Sequence, residues 1–386
     1  MQREKVVVTT GTHRACPPEL TWLRLQPVLD RCGITRVADV TDLDDLGIPC
    51  AVGIRPGSET VSVSQGKGAT RLLAKISAAI EAAETWHADH QVPPAQAVAS
   101  ASQIRPRYEV TSLADLNKDL LTPDAKLEWI QATRLDGSED WVPRSYVELA
   151  YTRHDPLNPF RSSSNGLAGG NTKTEAMLHA LYEIVERDTI YELVNLPLEA
   201  RVYLNLDHVR DPAVQQMVER LRAAEAWLEA VVVPGRTGIP TFVVYLWSPS
   251  FPHVVAGAGT HLDPSVALFR AISEAAQSRL GAIHGATDDA PVRLYEKRDS
   301  KSKPVEPADA RFVQFADVPN LASGDLITDL ATVHRMVTRV AGEPLLVDLT
   351  DPLIGFDVVR VVVPGMRFDS RNIAPRQIHK VAGDLS

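Results

Sequence analysis

The sequence predicts an α+β (mixed α/β) protein, on two observations. Runs rich in β-branched residues at 5–10, 230–234, 241–247, 253–258, 345–349 and 358–363 read as strands. Between them, segments at 68–90, 174–196, 213–230, 265–280 and 323–341 carry apolar residues at helical spacing. The two kinds of element mix along the chain without the regular alternation of a doubly wound sheet.

Taken in order, VVVTT near the start reads as an opening strand, because no apolar stretch there is long enough for a signal peptide. Cytoplasm is the expected location. Pro-rich and polar clusters at 91–106 and 289–307 read as linkers or surface excursions, the second holding the charged run EKRDSKSK. The tail after Pro364 lacks strong periodicity and is expected to be poorly ordered.

Composition narrows the function classes. The 386 residues are 44% hydrophobic and 23% charged, with no apolar run of the roughly 18 residues a membrane span needs. Net charge is −9 and the basic residues are scattered, which removes the electrostatic footprint of a nucleic-acid binder. Any nucleotide bound is therefore expected to be a small molecule. Cys16, Cys32 and Cys50 have neither disulfide-framework nor zinc spacing and read as small buried hydrophobes.

A threefold internal repeat is the most informative feature. Ala74, Ala78, Glu81 and Glu84 follow the pattern A-x3-A-x2-E-x2-E; Ala176, Ala180, Glu183 and Glu186 repeat it, and Ala267, Ala271, Glu274 and Gln277 repeat it with a closing amide. Glycines precede each copy: Gly66 and Gly68, Gly169 and Gly170, Gly257 and Gly259. At about 100° per residue, the small residues and acids of one copy share one helix face. Three such helices, packed through their alanines, are expected to gather five carboxylates and one amide. Crowded carboxylates raise one another's pKa values, a conflict that a hard divalent cation resolves. Mg²⁺ is held by a few carboxylates, its own waters and substrate phosphates, which points to a nucleoside triphosphate. Arg187, Arg270 and Arg279 lie close in sequence to these acids as donors for phosphate.

The segments around the copies resemble the YcaO family. The resemblance rests on GTHRACPPE (11–19), LGIPCAVGIRP (46–56), SQGKGATRLLAKISAAIEAAE (64–84), SSNGLAGGNTKTEAMLHALYEIVERD (163–188), ALFRAISEAAQSR (267–279) and VVRVVVPGM (358–366), blocks that span most of the chain. It implies a single YcaO-type catalytic domain over 1–386 with a motif-bearing core at about 60–370, and no separate leader-binding domain. It also implies ATP and Mg²⁺ bound at a glutamate-rich site; the sequence has no GxxxxGK[ST] loop. Carried over by motif, Glu81, Glu84, Glu183 and Glu186 would be the Mg²⁺ ligands. Ser77, Asn165, Glu175, Arg187, Glu274, Gln277 and Arg279 would line the nucleotide and phosphate site, with Arg14, Lys67 and Arg270 as further contacts. Glu183, Glu186 and Arg187 would act in the chemistry, whereas His13 and His179 read as packed histidines.

The reaction the resemblance implies is attack of a nucleophile on a backbone carbonyl of a ribosomally made precursor peptide, with ATP phosphorylating the carbonyl oxygen so that phosphate can depart. The nucleophile sets the product: an azoline, a thioamide or a macrocyclic amidine. Azoline-forming members often end in PxPxP; this chain ends RQIHKVAGDLS, which counts against the usual partnered azoline type but leaves a standalone azoline former open, while GTHRA (11–15) and LDDLGIPC (43–50) resemble members that work alone or beside a TfuA-type protein. A TfuA-like or leader-binding partner and a homodimer are further expectations from the family. An ATP-binding accessory subunit, an inactive relative, and a conventional kinase or ligase stay open as alternatives.

Overall fold

The computed structural model describes residues 3–114, 118–149, 158–160, 162–194, 196–285, 303–304 and 310–368, in which three sheets each feed one long helix. The first unit holds α1 (Pro18–Arg31), β1 (Arg36–Asp39), β2 (Cys50–Ile54), β3 (Val63–Lys67) and α2 (Arg71–His90). The second holds β4 (Ala97–Ser100), α3 (Ala101–Ile104), β5 (Lys126–Arg134), β6 (Glu139–Pro143), α4 (Arg144–Val147), β7 (Leu167–Gly170) and α5 (Lys173–Val194). The third holds β8 (Val202–Leu204), α6 (Pro212–Ala223), β9 (Trp227–Val232), β10 (Thr241–Ser248), β11 (Phe251–Thr260) and α7 (Pro264–His284). Then follow β12 (Arg311–Val313), α8 (Leu326–Ala341), β13 (Leu345–Asp348) and β14 (Asp357–Val362).

The sheet orders are β1-β2-β3, β4-β5-β13-β14-β7 with β6 on β5, and β11-β10-β9-β8-β12. In each, the strand that enters the motif helix, β3, β7 or β11, stands at the end of its sheet. The glycines of these strands explain the alanines. A Cβ on Gly66 would lie 2.2 Å from Ala74 O and from Ala78 N, and one on Gly259 would lie 2.0 Å from Ala267 O. On Gly170 it would meet Ala176 N at 2.6 Å. Helix backbone therefore rides directly on strand backbone, a contact open only to glycine facing alanine. This corrects one expectation: the small residues serve the approach of each helix to its own strand, not of helix to helix.

The units close into a ring. Helix α2 packs on β3 and reaches β7, α5 packs on β7 and reaches β11, and α7 packs on β11 and reaches β3. Around it, α1 and α2 cover the six-stranded sheet over Trp129, Ile130, Val142, Leu345 and Val358. Each of these fully buried side chains contributes on the order of 1.5–3 kcal/mol. A second core lies between α6, α7 and the five-stranded sheet, and a third joins α5, α8, β7 and β14.

Four sequence expectations are revised. Residues 5–10 make only single bridges, Lys5 to Asp325 and Val8 to Arg14, in place of the expected strand. The segment 213–230 splits: helix ends at Ala223, Glu225 takes φ 55°, and the chain turns into β9 at Trp227, since burial against β10 outweighs the helix propensity of AAEA. Residues 91–106 contain edge strand β4 and α3. Most of 289–307, and the chain after 368, lie outside the described residues. No helix among the described residues is long and apolar enough to cross a membrane.

Candidate active site

Thr70 caps α2 by accepting from Leu73 N–H at 3.2 Å, and each motif helix continues past its alanines to its acids. The first acid of every copy takes a backbone N–H from the segment leading into its helix. Glu81 accepts from Gln65, Glu183 Oε2 from Gly166 at 3.2 Å, and Glu274 Oε1 from Ala258 at 3.4 Å. Gln65 and Ala258 each stand nine residues before the first alanine of their copy, so the bond is part of the repeat. Glu84 reaches to the next unit, its Oε1 accepting from Gly169 N–H at 2.5 Å.

Charge is unevenly balanced among these groups. Burial, with the charges of Glu183 and Glu274 adding to it, pushes Glu81 up to about 7 despite Lys67 nearby. Burial pushes Glu84 to about 8, with Glu81 and Glu183 adding to the rise. Glu186 rises to about 7 by burial and the neighbouring Glu274. Burial also raises Glu183, against the pull of Arg187. Glu274 goes the other way: burial is outweighed by Lys67, whose Nζ donates to its Oε2 at 2.9 Å, with Arg187 and Arg270 adding to the pull. Arg187 stands 3.7 Å from Glu183 Oε1; burial opposes its charge, yet Glu183, Glu186 and Glu274 hold it protonated.

A cleft beside these acids is lined by Arg14, Lys67, Ser77, Glu81, Glu84, Glu175 and Arg270, together with Thr12, Asn171 and His179. His179 is driven well below its usual range by burial and by the charges of Arg270, Arg14 and Lys67, so it stays neutral there. Glu175, 2% exposed, is committed to structure: it accepts from Ala15 N–H at 3.0 Å and from Asn171, and faces Arg14 at 3.5 Å. Together these contacts fix the GTHR turn over the cleft, where Gly11 sits against the Phe269 ring. Asn165, Glu183, Glu186, Arg187, Glu274, Gln277 and Arg279 lie outside that lining; Asn165 and Gln277 each have a buried, unpartnered side-chain oxygen.

Arg279 lies elsewhere than the sequence placed it. Its Nε bridges both oxygens of Asp44 at 3.0 and 2.9 Å, while Nη1 and Nη2 donate to Ser248, Asp45 and Ser250. Only 1% exposed and 5.2 Å above the Phe251 ring, it ties α7 to the segment between β1 and β2, away from the cleft.

Sequence reasoning passed over the backbone donors Gln65, Gly166 and Gly169, as well as Arg360 and Phe368. Arg360, 1% exposed, raises no surface signal; it donates to Ser163 O at 2.6 Å and its charge reaches Glu183. Phe368 lies 6.0 Å from the Arg187 guanidinium.

The YcaO cyclodehydratase family model, described as binding ATP and Mg²⁺, matches residues 65–367. The chain belongs to the YcaO family. It is 37% identical to an uncharacterised Mycobacterium tuberculosis protein over 93% of this chain and 84% of that one. It is 34% identical to a Rhizobium leguminosarum protein from a tfuA 3′ region, covering 96% and 92% of the two. Among solved structures, the YcaO from Methanopyrus kandleri bound with AMPPCP and Mg²⁺ has a TM-score of 0.70 at 22% identity, covering 94% of both chains. A heterocyclase in complex with substrate and cofactor reaches 0.78 at 23% identity, but this YcaO chain spans only about half of it, 54%. These two likenesses speak for the mixed α+β YcaO fold.

ATP and Mg²⁺ are thus the cofactors of this family, and the residues present fit them. Three carboxylates raised to about 7 or 8 are short of positive charge. Arg187 Nε, Asn165 Oδ1 and Gln277 Oε1 are buried without partners. Among the described residues no group of three or more His, Cys, Asp or Glu side chains is closed tightly enough to hold a metal alone.

Proposed function

We propose that this YcaO chain uses ATP and Mg²⁺ to activate a backbone amide of a ribosomally made precursor peptide by phosphorylating the amide oxygen. The observation that carries the reading is the gathering of glutamates from three equivalent helices, those of α2 and α5 pushed toward neutrality mainly by burial while Lys67 keeps Glu274 of α7 ionised. In this reading Glu81, Glu84, Glu183 and Glu186 hold Mg²⁺, and their raised pKa values fall when the cation arrives.

Bound ATP supplies an electrophilic phosphorus for the amide oxygen and turns that oxygen into a phosphate leaving group. The chain's own part is positioning and electrostatics. Arg187, held protonated by three carboxylates, presents its fork to phosphoryl oxygens. Lys67 and Arg270 add positive charge on the cleft side, and Arg14 is fixed there by Glu175. No side chain is required to form a covalent intermediate. The product, azoline, thioamide or macrocyclic amidine, is set by the nucleophile; the relative from a tfuA 3′ region favours a TfuA-like partner and hence thioamide formation. We take the chain to act as one catalytic domain, in a homodimer.

Titration calorimetry with AMPPCP, with and without Mg²⁺ and with GTP as control, tests the site. Binding that needs Mg²⁺ and prefers the adenine nucleotide is expected; no binding would point to a missing partner or an inactive relative. Mass spectrometry of a candidate peptide then separates products. Loss of water marks an azoline or amidine, exchange of oxygen for sulfur a thioamide, and retained phosphate a kinase.

A further inference from the structure

One buried acid close to the site takes no part in the ring. Asp188 follows Arg187 on α5, is 1% exposed, and accepts from two arginines far away in sequence. Arg236 donates to it through Nε at 3.1 Å and Nη2 at 2.6 Å. Arg367 donates through its backbone N–H at 2.9 Å and its Nε at 3.1 Å. Arg236 also holds Gly365 O at 2.9 Å, and Arg367 pairs with Glu192 and lies 5.0 Å above the Tyr191 ring. A Cβ on Gly365 would stand 2.4 Å from Ala341 O, so this stretch is pressed onto the end of α8. Residues 364–368 are in this way fastened across the last turns of α5, and the next side chain along, Phe368, faces the Arg187 guanidinium.

Arg187 needs such support. Its Nε is buried without a partner and its nearest acid contact is a loose 3.7 Å, so its own hydrogen bonds do not fix the fork. We propose that Asp188 is a positioning residue: by clamping residues 364–368 to α5 it seats Phe368 against Arg187 and aims that guanidinium at the phosphates of the bound nucleotide. The inference rests on the nucleotide reading above and adds the means by which the arginine is held.

The test compares wild type, Asp188→Asn, Phe368→Ala and Phe368→Tyr in Mg²⁺-dependent AMPPCP titrations, with thermal unfolding and trypsin cleavage after Arg367 followed in parallel. Phe368→Ala is expected to weaken binding roughly two- to fivefold, the loss of one partly exposed cation–π contact, and Phe368→Tyr to restore it. Asp188→Asn is expected to weaken binding at least as much and to open Arg367 to trypsin. In an Arg187→Ala background neither change should weaken binding further, since both act through that side chain. Wild-type affinity in Phe368→Ala and Asp188→Asn, or equal losses with and without Arg187, would overturn the proposal. Should Asp188→Asn fail to fold, the Phe368 pair decides alone. Absence of binding in the wild type would instead refute the nucleotide reading itself.

Discussion

The backbone N–H of Gly169 donates to Glu84 across 2.5 Å, so an acid of the first copy is held by the strand that opens the second. This bond joins consecutive units of the ring where their acids meet. It also leaves Glu84 strongly raised, to about 8, because one N–H does not offset burial beside two other acids.

Replacing Glu183 by Gln should abolish Mg²⁺-dependent AMPPCP binding while the thermal midpoint stays level or rises, since the amide removes a charge that burial disfavours. Calorimetry checks the first half and thermal unfolding the second. Unaltered affinity would remove Glu183 from the metal shell.

Arg187→Lys should lower turnover by roughly ten- to a hundredfold, because a point charge cannot reproduce a planar fork on phosphate. Release of ADP with a peptide substrate is the readout; an unchanged rate would place Arg187 outside the chemistry.

The pH dependence follows from the raised acids. Glu81 and Glu186 at about 7 and Glu84 at about 8, against an ordinary 4.5, keep more protons on the folded than on the unfolded chain. Their contribution to stability is full below about pH 4.5 and is lost as pH rises through 7 to 8. Mg²⁺ requires the ionised forms, so its binding with nucleotide releases protons. The rise in thermal midpoint on adding Mg²⁺ and AMPPCP is therefore expected to be larger at pH 8 than at pH 6. Equal rises would detach these carboxylates from the metal.

Gly66→Ala should cost roughly 3 kcal/mol or more, since the new Cβ meets backbone atoms of α2 at 2.2 Å and neither partner can yield. Gly57→Ala, with nothing within 4 Å, is the control and should change stability by about 0.5 kcal/mol or less. Chemical denaturation of both variants gives the comparison, and a mild Gly66→Ala would refute the direct helix-on-strand contact.

Arg279→Met should lower stability by about 3–5 kcal/mol, the usual cost of stranding a buried acid, here Asp44, yet leave AMPPCP affinity unchanged. An affinity loss in protein that remains folded would return Arg279 to the phosphate site.

The sequence by itself determined the three motif helices, their shared acid face, the strands at 241–247 and 253–258, and the family, because helical spacing and β-branched runs are local signals written in adjacent residues. It also marked the paired glycines without saying what they meet. Only the tertiary structure decided that these glycines receive the alanines, that each first acid is fixed by a backbone N–H, and that Arg279 is spent on Asp44, which is 235 residues away. Short edge strands such as β4, and the split of 213–230 at Glu225, were likewise settled by burial rather than propensity. The same holds for the clamp of Asp188 on Arg367, 179 residues apart. Which charge answers which is a property of folded distance, and a chain read in order carries no measure of it.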